Sequence, residues 1–141
     1  MQKWIYALVV VLIGASCNNK KSDSQLKESL YNEVIDIHDE VMPKMSELKN
    51  LSMQLTTTAD SILTADSTQV ATVEQLKELA LKLELANESM MEWMRNFQPP
   101  SDNLPHDSVM NYLSQQKEMI IEVKEGMLTA RAKARNRLEM P

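Results

Sequence analysis

Residues 76–97, LKELALKLELANESMMEWMRNF, decide the fold. Leu76, Leu79, Leu83, Ala86, Met90, Met94 and Phe97 recur in alternating steps of three and four, which places them on one stripe of a helix with 3.6 residues per turn. The spacing predicts the middle helix of a small bundle. Two other segments carry matching stripes, one on each side of it.

Upstream, the stripe is Leu26, Leu30, Val34, Ile37, Val41, Met45, Leu48 and Leu55, with Glu28, Glu33, Asp36, Glu40, Glu47 and Lys49 mostly turned away. Pro43 interrupts this pattern, removes a backbone donor and crowds the preceding turn, so a kink near 39–42 or a break into two helices is expected. Ser22 followed by Gln25 has the spacing of a capping box at the start of this helix. Residues 56–72 are rich in Thr, Ser, Asp and Ala, which predicts the turn into the middle helix near 65–68. Downstream, Gln98-Pro99-Pro100-Ser101-Asp102-Asn103 breaks the helical ladder. A third helix follows from Pro105 or Asp107, with Val109, Leu113, Gln116, Ile120, Val123, Met127, Ala130 and Ala134 as its stripe. The expected fold is all-α, an antiparallel three-helix bundle over residues 26–138.

Composition agrees, because two glycines and 4% aromatic residues leave little material for tight β turns or a sheet core. The first residues, MQKWIYALVVVLIGASC, carry a basic Lys3, an apolar run over 4–13 and small residues before Cys17. This is the layout of a secretory signal, and the run is too short to span a membrane. Gly14-Ala15-Ser16-Cys17 resembles the bacterial lipobox, with Gly14 where leucine is usual, and Cys17 is the only cysteine, so disulfide chemistry is excluded. The reading is a lipoprotein signal peptide over 1–16, a lipidated Cys17 as membrane anchor and a flexible tether over 17–25. Removing Lys3 leaves 14 basic against 20 acidic residues, taking the formal charge from -5 to -6. An acidic protein beyond the cytoplasm is a poor partner for nucleic acid. The basic run Arg131, Lys133, Arg135 and Arg137 near the end suits either anionic headgroups or the negative pole of a helix C-terminus.

The runs IHDEVMPKM (37–45), MMEWMRNF (90–97) and YLSQQKEMIIEVKEGM (112–127) resemble those of small Bacteroidota lipoproteins labelled "viral A-type inclusion protein". The resemblance covers most of the chain after the signal. It implies a helical protein of the cell envelope, held in the outer membrane and facing the periplasm or the cell surface, and it adds no catalytic residues. Acidic residues soon after the cysteine accompany surface export in that group, and here Lys20 and Lys21 stand in that place.

Neither histidine, His38 or His106, has a Glu three residues before it, so the Glu-x-x-His pattern of di-iron bundles is missing. A His-Glu-x-x-His motif, a phosphate loop and a nucleophile motif are also missing, which argues against an enzyme. Eleven methionines are the distinctive feature. If the first two helices form a hairpin about 65–68, facing positions sum to roughly 133, on a common rise per residue. Met42 then faces about Met91 and His38 about Met94, and one end of the bundle collects His38, Met42, Met45, Met90, Met91 and Met94, joined by Trp93, Met110 and His106. Thioethers with an imidazole suit Cu(I), and His38, Met42 and Met45 share a helix face. Ordinary packing is the competing reading, since methionine fills irregular gaps and contacts aromatic rings well. Two functions therefore stand open: a lipid-anchored module that binds an unidentified envelope protein without a cofactor, or a Met/His copper(I)-binding envelope protein.

Overall fold

The computed structural model describes residues 22–139, and the signal peptide, Cys17, Lys20 and Lys21 lie outside them. The chain runs as α1 (Asp23–Val41), a 3-10 turn (Met42–Lys44), α2 (Met45–Ala65), α3 (Val70–Asn96) and α4 (His106–Glu139). No strand occurs among the described residues. Ser22 forms the capping box with Gln25, its hydroxyl accepting from Gln25 N while the Gln25 side chain accepts from Ser22 N at 2.9 Å. Residues 23–25 therefore belong to α1 rather than to the tether. Pro43 sits in the 3-10 turn, where its missing N–H costs no α-helical bond.

The Thr- and Ser-rich end of α2 stays helical through Ala65 because Leu55, Ala59 and Ile62 pack on the core, and its hydroxyls find acceptors within the helix. Thr56, Thr58, Ser61 and Thr64 each donate to the carbonyl four residues back. Asp66 then turns the chain, accepting from Thr68 N at 2.9 Å and Thr68 Oγ1 at 2.7 Å, and α3 returns antiparallel to α2. Ser52 Oγ donates to Glu84, Lys77 pairs with Asp60, and Asn87 Nδ2 donates to the Met45 carbonyl, which fixes the register of these two helices.

The core follows heptads. Val34, Val41, Leu48 and Leu55 recur every seven residues and are fully buried, as are Leu113, Ile120, Met127 and Ala134 on α4. Leu83 and Met90 are fully buried on α3, with Leu76 almost so. Seven-residue spacing keeps one seam facing the partner only if the helices wind about each other in a left-handed sense. The charges flanking the seam repeat at the same interval: Lys117 meets Glu33, Lys124 meets Glu40 and Arg131 meets Glu47, each pair separated by 84 positions. A constant separation means that α4 runs parallel to α1 and α2, with α3 antiparallel between them in direction. α1 packs chiefly on α4, α2 chiefly on α3, and α3 on α4. The stripes predicted for the middle and third helices point inward. Leu26, assigned to the core from its spacing, is instead 38% exposed, because it sits at the N-terminal end of α1 before α3 reaches that level.

Candidate functional site

The stretch after α3 leaves the helix extended at Phe97 and turns only at 101–104, where Leu104 N donates to the Ser101 carbonyl at 3.3 Å. Phe97 and the residues to Pro105 run beside the first turns of α1, with Lys27 Nζ held 2.8 Å from Asp102 Oδ1, so α4 starts near the start of α1. His106 Nε2 accordingly lies 4.0 Å from Asp23 Oδ1. This corrects the expectation that His106 and Met110 join His38. That expectation assumed a tight turn at Pro99-Pro100, whereas the extended segment displaces α4 along α1.

Aromatic rings fill the space where the segment leaves α3. Trp93 stacks on Phe97 with centroids 4.8 Å apart, and Phe97 lies 6.2 Å from Tyr31 and 6.3 Å from Tyr112. The Tyr112 hydroxyl accepts from Gln98 N at 3.0 Å, fastening the segment to α4. His38 completes the column, its ring centroid 5.5 Å from that of Trp93 and its Nδ1 2.8 Å from Asp39 Oδ1. Trp93 Nε1 is buried without a hydrogen-bond partner. Sequence spacing placed His38 opposite position 94, one residue from where the ring contact falls.

The methionines divide into two groups. Met90 is fully buried, and Met45 and Met94 are half-buried against the same core. Met42 and Met91 are 44% and 41% exposed, on the solvent side of their helices. His38 and Trp93 meet at one level, Met45, whose carbonyl accepts from Asn87, lies about two turns further along the bundle, and Met42 and Met91 stand at its surface. Among the described residues no three of His, Cys, Asp and Glu gather as a metal-holding cluster, so a soft ion here would rely on thioethers and His38.

Two features were missed in the sequence. One is the heptad ladder of ion pairs, whose signal was the seven-residue recurrence of Glu33, Glu40 and Glu47 and of Lys117, Lys124 and Arg131. The Lys124 hydrogen bond holds the Glu40 carboxyl below its usual range, and the Arg131 hydrogen bond does the same for Glu47. The other is the outer side of α3 and α4, where Leu81 and Leu85, one turn apart, are 53% and 57% exposed. Among the described residues no helix is long and apolar enough to cross a membrane.

The chain matches no family model, no curated protein and no solved structure.

Proposed function

We propose that this chain is a lipid-anchored helical module of the bacterial envelope, attached through Cys17 to the outer membrane on its periplasmic side and acting without catalysis by holding another envelope component. The supporting observation is the outer face of α3, where Leu81 and Leu85 stand on the surface although the heptad stripes already fill the interior. The axis through α1 and α2 is about 60 Å long at 1.5 Å per residue. A tether entering at Ser22 would hold one end near the bilayer and carry the exposed α3 face outward. The 3-10 turn around Pro43 is read as the kink that bends this rod. A pull-down from detergent-solubilised membranes with Leu81→Glu/Leu85→Glu as control tests the module. A protein retained by the natural chain and lost from the variant supports it; no difference between the two would sink it.

A second reading is supported by one observation, the His38 ring resting on Trp93, the chain neighbour of half-buried Met94. There the protein binds Cu(I) through thioethers and imidazole, with the indole against the ion. Met42→Leu, Met90→Leu and Met94→Leu together should abolish Cu(I) binding with helicity kept, and His38→Ala should weaken it. If the natural chain fails to compete with a Cu(I) chelator, this reading falls.

A further inference from the structure

The two flanks of α4 differ. Toward α1 and α2 it is closed by Lys117, Lys124 and Arg131 on their glutamates, whereas among the described residues no ion pair within 4 Å joins α4 to α3, where Lys133 acts on Glu78 only from a longer distance. That second flank is an open groove in two adjoining halves, with cavity volumes of about 350 and 510 Å³. Ala86, Ser89, Glu122 and Gly126 line both halves and mark its middle. A Cβ on Gly126 would meet nothing within 4 Å, so nothing inside the fold requires glycine, the residue least suited after proline to a helix interior. Leu85 and Met119, 57% and 46% exposed, form apolar rims.

Charge is distributed unevenly along this groove. Glu92 lies toward one end, Lys82 and Lys133 toward the other, and Glu122 and Glu125 between them; Lys82 also pairs with Glu78 on its own helix. Lys82 and Glu92 stand equally far from residue 87, and Lys133 and Glu122 nearly equally far from 127. A twofold axis lying across the helices there would set α3 on α3 and α4 on α4 in opposite directions. Each lysine would then meet a glutamate. An axis along the helices would instead set Lys82 on Lys133 and Glu92 on Glu122, which like charge forbids.

We infer that the α3–α4 groove receives the same groove of a second copy of this chain, antiparallel about an axis near Gly126, with Lys82 on Glu92 and Lys133 on Glu122 of the other copy. The omitted side chain at Gly126 lets the two α4 helices approach at the crossing. This rests on the interaction-module reading and names its partner.

Two full-length copies bearing different C-terminal tags, expressed together and solubilised in mild detergent, test it. Natural copies should co-purify. Lys82→Glu/Lys133→Glu should lose co-purification with itself, as should Glu92→Lys/Glu122→Lys with itself, and the two variants mixed should regain it. The mixed pair controls for folding, since recovery requires both chains intact. Natural copies that stay apart, or variants that pair with themselves as well as the natural chain does, overturn the proposal. In either case retention of a different envelope protein, lost on Leu81→Glu/Leu85→Glu, would leave the broader module reading standing.

Discussion

Arg131 Nε lies 2.7 Å from Glu47 Oε2, and Arg135 Nε lies 3.0 Å from Glu47 Oε1, so one glutamate of α2 holds two successive turns of α4. This is the last of three rungs that fix α4 parallel to α1 and α2. Exposed ion pairs contribute little individually, at most about 1 kcal/mol, so the rungs set alignment more than stability. Glu47→Arg should lower stability by about 1 kcal/mol or somewhat more, through like-charge contact with both arginines. Adding Arg131→Glu and Arg135→Glu should restore most of it. Chemical denaturation of the natural chain and both variants measures this, and additive losses would mean the rung does not couple the helices.

Acid should weaken the bundle in a defined window. Hydrogen bonds from Lys124, Arg131 and Thr68 lower the carboxyl pKa of Glu40, Glu47 and Asp66 from ordinary values of 4.5, 4.5 and 3.8. A carboxyl lowered in the folded state binds its proton more readily when unfolded, so its stabilisation is present above the unfolded value and lost as pH falls through the folded one. The thermal midpoint should therefore hold from neutrality down to about pH 5, then drop as these groups protonate. A midpoint that rises on acidification would contradict the assignment.

Leu83 tests the heptad core. It is fully buried between stripes, and Leu83→Ala should cost about 2 to 5 kcal/mol, most of a small domain's margin. Leu81→Ala, on the exposed face two residues away, should change stability by about 0.5 kcal/mol or less. Equal effects at the two positions in urea titrations would mean that α3 faces the other way.

Gly126 gives a prediction of opposite sign. Its Cβ position is open, and alanine is favoured over glycine in a helix interior by about 0.8 to 1.0 kcal/mol. Gly126→Ala should raise the denaturation midpoint of the isolated chain. A fall would mean that a contact inside the fold requires the glycine.

The residues that were legible in the sequence are those whose information is local. Leu76, Leu83 and Met90 declare an inward stripe by spacing alone, and Ser22 with Gln25 declares a helix start, because both patterns are complete within a few turns. The hairpin of α2 and α3 was legible because its turn is short, which let arithmetic place His38 within one residue of Trp93. Across Phe97 to Pro105 the same arithmetic failed, since an extended segment covers more distance per residue than a helix, and only Tyr112 and Lys27 reveal where it is fastened. The pairing of Glu33, Glu40 and Glu47 with α4 was hidden for a related reason. The recurrence is local, but the partner is chosen by a loop whose path the recurrence does not encode.

Attachment of the helical module to the envelope by lipid on Cys17 is tested by fractionating cells that express the natural chain or Cys17→Ser and weighing the purified proteins. The natural chain should sediment with membranes and carry an added lipid mass, while Cys17→Ser should lack that mass and its helical domain be released to the soluble fraction. Retention of Cys17→Ser in membranes, with no lipid mass on the natural chain, would contradict it.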